Sequence, residues 1–331
     1  MQHPEHPKPR RPSRREVIAL GIGALAVAAV PFTRRRHKLV RRTVPVMGTL
    51  AEVGVVHGDE IYAQRAIDAA IEELRTVERL MTRFDANSEV GRANRLAATD
   101  AVTVSGQTAT VLLEALEWAE ASDGVFDPCL GNVMQLWDVG SRSMPPARKK
   151  IQRLAARRFY RSLDLGTYRG QPAVRFTESD VAIDLGGIGK GYGVDRAVQA
   201  LRDWGIENGL VNVGGDLYAL GASEDGDPWT VGVRSPRDAD KLSDKLELSD
   251  AAVATSGDYL QYFQSGGERY HHLIDPATGA PRLTEMHSVT VRAARCITAD
   301  AAATVAFGMG RGEAQGLLSR RSSDAEIVSA A

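Results

Sequence analysis

Hydrophobic and polar positions follow two different periods along the chain, and these periods predict where strands and helices lie. Met47 to Val56 alternates and is rich in small and β-branched residues, a pattern typical of a strand. After Asp59, a candidate N-cap, apolar residues recur at helical spacing, which predicts a helix ending near residue 81. The apolar face of that helix consists of Ile67, Ile71, Leu74, Val77 and Met81. A second helix is predicted from Gln107 to Ala121.

Short strands and helices follow each other irregularly in the second half of the chain. A helix is predicted after the glycine-rich turn 186–193, ending at Trp204 before Gly205, and a late helix spans Ala299 to Met309. Because no regular βαβ alternation is visible, an α+β fold is favoured over a doubly wound sheet. The predicted strands are Val181 to Leu185, Leu210 to Val213, Leu217 to Leu220, Trp229 to Val233 and Val289 to Ala293.

Charge is distributed unevenly, although the formal net charge of the 331 residues is only −1. Residues 1–42 contain 11 Lys and Arg but 2 Asp and Glu, which leaves 30 basic and 40 acidic residues in the rest. With 43% hydrophobic and 25% charged residues, the composition is that of a globular protein. The acidic body argues against a nucleic-acid surface, and a phosphate ligand would need a metal ion or backbone N–H groups.

The N-terminus has the pattern of a twin-arginine export signal. The pair Arg14-Arg15 precedes an apolar stretch from Val17 to Phe32, and no clear cleavage site follows. The stretch is short and glycine-rich for a spanning helix, so it is either removed or kept as an anchor; a basic tail with a chance apolar run is the simpler alternative. We predict an export signal or membrane anchor with a basic linker at residues 1–42 and one domain at 43–331. The expected location is the periplasm or the outer face of the cytoplasmic membrane.

The two cysteines, Cys129 and Cys296, do not have the spacing of a metal site such as CxxC. An oxidising compartment would allow a disulfide between them. Two buried free thiols are the preferred interpretation.

Five glycines in the segment Asp184-Leu-Gly-Gly-Ile-Gly-Lys-Gly-Tyr-Gly193 lie between a predicted strand and a predicted helix. Without Cβ atoms the backbone can approach a ligand closely, and the N-terminus of a helix favours anions. The segment is not a Walker A loop, because Gly191 follows Lys190 where a hydroxyl residue is needed, and it is not GxGxxG. Spacing alone leaves two interpretations open, a phosphate-binding turn and a merely tight strand–helix turn.

Asp300 and Thr304 are four residues apart on a predicted helix and therefore share one face. A carboxylate and a hydroxyl offer the hard oxygen ligands that suit Mg²⁺. Taken alone, a simpler interpretation is preferred, in which Asp300 stabilises the helix dipole and Thr304 belongs to the core.

Two histidines, His271 and His272, precede an Asp-Pro-x-x-Gly turn that starts at Asp275. Adjacent residues on a strand point to opposite faces, so the pair is a poor metal site. One of the two is a candidate general base, and a structural or surface role is the alternative.

Taken together, these ordered motifs resemble the ApbE family of FAD:protein FMN transferases. The resemblance runs from Met47-Gly48-Thr49 to Gly310, nearly all of the chain after the export signal. Each motif alone is weak, but their shared order argues against a chance match. The other motifs are Met81-Thr-Arg-Phe84, Ser88-Glu89, Phe126-Asp127-Pro128-Cys-Leu-Gly131, Leu136-Trp137, the glycine-rich segment, Val211-Asn-Val-Gly-Gly-Asp216, Ala254-Thr-Ser-Gly-Asp258, His272-Leu-Ile-Asp275-Pro276, and Asp300 with Thr304.

The resemblance implies a T-fold-like α+β domain that binds FAD with its pyrophosphate next to Mg²⁺. In the family the metal is held by an Asp, a Thr four residues later and a backbone carbonyl, which match Asp300, Thr304 and Gly189 here. The histidine of the Ile-Asp-Pro turn, His272, matches the suggested catalytic base, and Asp300 is catalytic through its metal. Further positions implied to bind the cofactor FAD are Met47, Phe84, Asp127, Gly187, Lys190, Gly191, Asp216, Ser256, Gly257 and Asp275.

Two positions depart from the family pattern. Phe84 stands where the family usually has Tyr, which keeps a stacking face but loses a hydroxyl. Gly189 stands where the family usually has Ala, and a carbonyl ligand survives that change.

The implied reaction is the transfer of FMN from FAD to a Thr or Ser hydroxyl of a membrane-associated or exported redox protein, with release of AMP. An FAD pyrophosphatase would use the same metal site with water as the acceptor, and the sequence does not separate the two. A non-catalytic flavin-binding protein and an interaction protein with an inactive site are further alternatives, but neither needs Asp300, Thr304 and His272. No nucleic-acid partner is expected.

Overall fold

The computed structural model describes residues 25–27, 38–238, 240–259, 261–284 and 286–331. The twin arginine and most of the apolar stretch of the predicted export signal lie outside these residues. Within the described part of the chain, no helix is both long and apolar enough to span a membrane. The first long strand begins at Lys38, before the predicted start of the domain at residue 43.

Many short strands and a smaller number of helices make up the described chain. The strands are β1 (Leu25–Val27), β2 (Lys38–Val46), β3 (Thr49–His57), β4 (Val102–Thr103), β5 (Leu163–Tyr168), β6 (Gln171–Phe176), β7 (Gly209–Val213), β8 (Asp216–Leu220), β9 (Trp229–Arg234), β10 (Leu242–Leu248), β11 (Ala251–Gly257), β12 (Tyr262–Ser265), β13 (Glu268–His271), β14 (Ile274–Asp275), β15 (Ala280–Pro281), β16 (Ser288–Ala293) and β17 (Glu326–Ala330). The helices are α1 (Glu60–Met81), α2 (Glu89–Leu96), α3 (Gly106–Ala121), α4 (Gly131–Trp137), α5 (Arg148–Leu154), α6 (Gly189–Asp203), α7 (Cys296–Gly308) and α8 (Arg311–Arg321).

A seven-stranded sheet forms the centre of the fold, in the order β17-β16-β11-β8-β7-β3-β2. Every neighbouring pair in it is antiparallel. Strands from the beginning, middle and end of the described chain therefore belong to one sheet. The smaller sheets have the orders β1-β9-β10, β4-β6-β5, β12-β13 and β14-β15.

Helix α6 packs against both α1 and α7, and all three helices pack against the central sheet. Helix α1 contacts β2, β3 and α6, while α7 contacts α6, β11 and β16. The apolar stripe of α1 is buried in this contact, as its spacing predicts, and Leu74 is fully buried. Helix α7 is buried around most of its circumference, which suits its run of alanines. This three-helix layer is where the polar side chains described below come together.

Several predictions about elements are confirmed. The fold is α+β, and α1 begins after Asp59, whose carboxylate accepts a hydrogen bond from the Tyr62 N–H at 3.0 Å. Helix α6 ends at Asp203, and Gly205 follows with a φ of +69°. Cys129 and Cys296 are both free and buried.

Other predictions about elements are wrong in instructive ways. Residues 181–185 form no strand but a single bridge between Ala182 and Leu130, because the Ile183 N–H is bound instead by the Asn94 side chain at 2.6 Å. Helix α7 begins at Cys296 and not at Ala299. The first two helical N–H groups of α7 are capped by Asp195, a residue of α6 that local sequence cannot connect to this helix start.

Candidate functional site

The hairpin between β2 and β3 turns at Met47 and Gly48, so the predicted strand begins at Thr49. Both turn residues have positive φ, 53° for Met47 and 70° for Gly48, and such a conformation is unfavourable for a side chain larger than Asn or Gly. The Met47 N–H donates to Glu78 Oε1 at 2.9 Å, and its sulfur lies 3.0 Å from the position that a Cβ would take on Gly193. The strained methionine is therefore held against α6, and strained residues of this kind are concentrated at functional sites.

The glycine-rich segment is partly a turn and partly the first turn of α6, which begins at Gly189. A Cβ on Gly191 would lie 2.4 Å from the Cys296 carbonyl oxygen and 2.8 Å from the Cβ of Asp300. The Gly191 N–H donates to Asp300 Oδ2 at 3.0 Å. Gly191 therefore permits the close approach of α6 and α7, which is a packing role in addition to the predicted ligand role. At Gly189, by contrast, the nearest atom to such a Cβ is 3.6 Å away.

Lys190 joins two acidic side chains from different elements. Its ammonium is hydrogen-bonded to Asp216 at the start of β8 and lies 3.4 Å from each carboxylate oxygen of Asp300 in α7. Asp216 and Asp300 are buried. Burial and the charge of Asp300 raise the pKa of Asp216, against the opposing effect of Lys190. Burial tends to lower the pKa of Lys190, but the two carboxylates outweigh it and raise that pKa above its ordinary value.

Hydroxyl and carbonyl oxygens adjoin this cluster. The Thr304 hydroxyl lies 3.5 Å from the Gly187 carbonyl oxygen and 3.4 Å from the Ser256 hydroxyl. Ordinary O–H···O hydrogen bonds are about 2.7–2.8 Å long, so the Thr304 oxygen is held loosely and keeps lone pairs for another ligand. A Cβ on Gly187 would lie 3.0 Å from the same oxygen. The absence of a side chain at Gly187 thus permits the close approach of Thr304 to this turn.

This set of oxygens fits Mg²⁺ chemically. No group of three or more His, Cys, Asp or Glu side chains suited to a metal occurs among the residues that the structure describes. Mg²⁺, however, is commonly bound through one or two carboxylates together with phosphate oxygens of a substrate. Asp300, Thr304 and a backbone carbonyl match that mode. The carbonyl of Gly187 already contacts Thr304, whereas Gly189 would have to contribute its carbonyl from the first turn of α6; the Gly189 ligand stays a prediction.

The two histidines have different environments. His271 is buried, and both ring nitrogens are engaged: Nδ1 accepts from the Leu273 N–H at 3.2 Å, and Nε2 donates to the Arg282 carbonyl at 2.9 Å. His272 is half-buried, and Nδ1 is 3.4 Å from the Gln261 carbonyl oxygen. Burial of the imidazole lowers the pKa of His272 to about 4, and the charge of Lys190 acts in the same direction. His272 is therefore a neutral imidazole near the cluster, and His271 is structural.

Phe84 lies on the surface just after α1 with 81% of the residue exposed. The guanidinium of Arg83 covers one ring face, with its Cζ 4.2 Å from the ring centroid. Arg83 Nε is in turn 2.6 Å from Asp184 Oδ2, at the start of the glycine-rich segment. The predicted stacking residue is thus linked to the predicted phosphate-binding turn. Sequence reasoning missed Arg83, whose only signal was its position before Phe84.

Three predicted FAD contacts have structural roles in the described fold. Asp127 is buried and accepts from the N–H groups of Cys129 at 2.8 Å and Tyr160 at 3.3 Å. Burial raises the pKa of Asp127 to about 6, although these N–H groups oppose the shift. Asp275 accepts from the Ala277 N–H at 2.9 Å and so shapes its own turn. A Cβ on Gly257 would lie 2.5 Å from the ring of Tyr259, which explains the glycine by packing.

Two depressions of about 350 and 330 Å³ lie elsewhere on the surface, around Asp123 and Arg92 respectively. Neither includes a residue of the cluster. The candidate site is recognised by its chemistry and not by the size of a cavity.

Fold and site together define a class of protein, namely an antiparallel α+β domain in which a glycine-rich helix N-terminus adjoins a carboxylate–hydroxyl pair. The ApbE family model matches residues 47–328. The chain belongs to the ApbE family.

Similar proteins agree with this assignment. An FAD:protein FMN transferase of Vibrio cholerae is 34% identical over 268 residues, which cover 80% of each chain. An FAD:protein FMN transferase of Treponema pallidum is 33% identical over 297 residues, covering 84% of this chain and 80% of the relative. The crystal structure of the ApbE protein of Thermotoga maritima superimposes with a TM-score of 0.79 at 30% identity, covering 88% of this chain and 93% of that one. The flavin transferase ApbE of Vibrio cholerae gives a TM-score of 0.75 at 29% identity, with 89% and 97% covered.

Proposed function

We propose that this chain, a flavin transferase by family, transfers FMN from FAD to a Thr or Ser hydroxyl of a partner protein and releases AMP, with Mg²⁺ at Asp300 and Thr304. The proposal rests mainly on one observation: the side chains of Lys190, Asp216 and Asp300 are in contact at the N-terminal turn of α6. A buried carboxylate and a cation at the N-terminus of a helix, where the helix dipole is positive, are suited to a pyrophosphate. A carrier of flavin would not need the buried carboxylate there.

In this reaction the acceptor hydroxyl oxygen forms a bond to the phosphorus of the FMN half, and the bond from that phosphorus to the AMP oxygen breaks. Mg²⁺ bound at Asp300 and Thr304 would offset the negative charge that develops on the leaving phosphate. The Lys190 ammonium orients the phosphate oxygens, and the positive end of the α6 dipole favours their charge. The Gly191 N–H holds the Asp300 carboxylate in place at 3.0 Å.

His272 takes the proton from the attacking hydroxyl. Its imidazole is neutral at pH 7, because burial lowers the pKa to about 4, so a lone pair is available. His271 cannot take this role, because both of its nitrogens are already hydrogen-bonded within the fold. Mg²⁺ dependence, the hydroxyl acceptor and the release of AMP are all parts of the proposal that one assay can test.

The test incubates the full chain with FAD, Mg²⁺ and an exported redox protein carrying a candidate Thr or Ser site, and then measures the intact mass of that partner. We expect a mass gain of one FMN moiety, stoichiometric AMP, and loss of both with EDTA. A partner with its acceptor Thr replaced by Ala is the control. Free FMN with an unmodified partner would favour a pyrophosphatase, and intact FAD throughout would reject both activities.

We also propose that the chain acts outside the cytoplasm, with residues 1–42 as a twin-arginine export signal or anchor and the rest as the catalytic domain. The twin arginine Arg14-Arg15 and the apolar stretch after it support this proposal. Replacing both arginines by Lys should retain the protein in the cytoplasm, as measured by cell fractionation. Unchanged export of that variant would reject the twin-arginine route.

A further inference from the structure

An exposed phenylalanine beside the candidate site is held in an unusual setting. Leaving a Phe side chain in water forgoes about 1.5–3 kcal/mol of burial free energy, and Phe84 is 81% exposed. The chain around it is nevertheless well fixed. The Phe84 N–H donates to Thr82 Oγ1 at 3.3 Å, and the Ser88 hydroxyl, which also caps α2, donates to the Thr82 carbonyl at 2.5 Å. The ring is therefore on the surface of a tightly organised connection between α1 and α2.

Arg83 defines which face of the ring is available. Its guanidinium lies over one face of Phe84, 4.2 Å from the centroid. The same guanidinium is ion-paired with Asp184, and the two side chains are only 21% and 14% exposed. The other oxygen of Asp184, Oδ1, accepts from the Gly186 N–H at 2.8 Å. One residue thus connects the ring to the turn that leads into α6.

We propose that Arg83 is a positioning residue, which holds the Phe84 ring as a platform for a planar heteroaromatic ring of the dinucleotide and fixes that platform to the phosphate-binding turn. The inference rests on the proposed function and adds a residue that determines affinity for the substrate. Covering one face with a cation orients the ring and leaves the opposite face for stacking. Pairing the same cation with Asp184 keeps the distance between ring and turn constant, and such preorganisation favours binding.

The test measures equilibrium binding of FAD to the full chain in EDTA, where no transfer takes place, by the change in flavin fluorescence. We expect Arg83→Ala to weaken FAD binding about 3- to 10-fold, the size of an exposed cation–π contact with some loss of preorganisation. Arg83→Lys should be intermediate, because an ammonium keeps the ion pair with Asp184 but not the planar stack. Arg157→Ala is the matched control, since Arg157 also lies over a phenylalanine ring, that of Phe159 at 5.4 Å, and pairs with Glu178.

Action through the ring is tested by a double-mutant cycle with Phe84→Leu. If Arg83 acts through Phe84, the double variant binds FAD no more weakly than the weaker-binding single variant. Additive losses would show that Arg83 contributes independently and would overturn the inference. In turnover, the KM for FAD should rise in Arg83→Ala while kcat changes less than about twofold, because the ground state and the transition state lose the same binding energy.

Simpler ligands identify which ring is stacked and separate the failure of this inference from that of the proposed function. If Arg83→Ala weakens the binding of FMN but not of AMP, the isoalloxazine stacks on Phe84; if it weakens the binding of AMP but not of FMN, the adenine does. Inorganic pyrophosphate should bind equally well to the unmodified chain and to Arg83→Ala. Loss of pyrophosphate binding in Arg83→Ala would mean that Arg83 merely supports the turn. If the unmodified chain binds FAD and Arg83→Ala binds it equally well, only this inference fails; if the unmodified chain binds no FAD, the proposed function fails as well.

Discussion

The two halves of the candidate site are built on opposite principles. The cluster of Lys190, Asp216 and Asp300 lies between α6, β8 and α7, and its three residues are far apart in the chain. The aromatic platform is exposed, and its two members, Arg83 and Phe84, are neighbours in sequence. The cluster depends on close helix packing, whereas the platform depends on one ion pair to Asp184.

This difference predicts how each half responds to mutation. In the cluster, small changes of volume or charge act on packing and chemistry together, because a buried carboxylate that loses its partner stays unsatisfied. On the platform, side chains can change without disturbing the core, so the effects should be moderate and confined to substrate binding.

Asp300→Asn should have the largest effect. The amide removes a negative charge from the proposed Mg²⁺ site and weakens the acceptor of the Gly191 N–H, so we expect transfer of FMN to fall by at least about 100-fold. The rate is measured by intact mass of the partner protein. Asp203→Asn, an exposed carboxylate at the end of α6 that is bound to Gln199, is the matched control and should keep its activity. Full activity of Asp300→Asn in Mg²⁺ would reject the metal assignment.

His272→Ala should reduce transfer about 10²- to 10⁴-fold, the usual contribution of a positioned base, while FAD binding is kept. The pH dependence gives a second check. A lowered pKa means that the proton leaves the imidazole at lower pH, so His272 with a pKa of about 4 is already neutral at pH 6.5, where an ordinary imidazole would be half protonated. The value of kcat/KM should therefore show no loss on acidification until below about pH 5. An acid limb with its midpoint near 6.5 would contradict the assignment.

Gly191→Ala and Gly189→Ala form a matched pair within one helical turn. The new methyl group at 191 would lie 2.4 Å from the Cys296 carbonyl oxygen, so we expect a loss of about 1–3 kcal/mol in the free energy of unfolding. At Gly189 the nearest atom is 3.6 Å away, and alanine should be neutral or stabilise by up to about 1 kcal/mol. Urea unfolding measures both. Equal destabilisation by the two substitutions would refute the packing role of Gly191.

Phe84→Tyr should have the smallest effect. The substitution keeps the stacking face and adds a hydroxyl at an exposed position, so the affinity for FAD should change less than about threefold. Phe84→Leu is the comparison, because it removes the ring face but keeps an apolar side chain. A loss of affinity in Phe84→Tyr as large as that in Phe84→Leu would show that the ring is not a stacking platform.

Local pattern predicts the parts of this molecule that local contacts determine. Helix α1 and its Asp59 cap follow from the residue pattern within that segment. The shared face of Asp300 and Thr304 likewise follows from their spacing within α7. The ion pair between Lys190 and Asp216 does not, because it forms only when α6 packs against β8. The predicted strand at residues 181–185 is wrong for a similar reason, because it depends on a contact between distant parts of the chain. The side chain of Asn94, in α2, accepts the hydrogen bond from the Ile183 N–H that a neighbouring strand would otherwise accept.

The motifs of the candidate site can be recognised from their order in the sequence. Which of their residues hold the fold together and which form the cluster can be seen only in the structure. Sequence grouped Asp127 and Asp216 together as FAD contacts. The structure separates them, because the Asp127 carboxylate is occupied by backbone N–H groups whereas Asp216 joins the Lys190 cluster. It also distinguishes His271, whose ring is fully hydrogen-bonded, from the half-buried His272.

A crystal structure of the full chain with FAD and Mn²⁺ as an anomalous substitute for Mg²⁺ tests the central claim most directly. The account predicts one anomalous peak bound by Asp300 and Thr304, with the pyrophosphate at the first turn of α6 and a planar ring stacked on the free face of Phe84. A metal bound elsewhere, or FAD seated away from the Lys190 cluster, would contradict it.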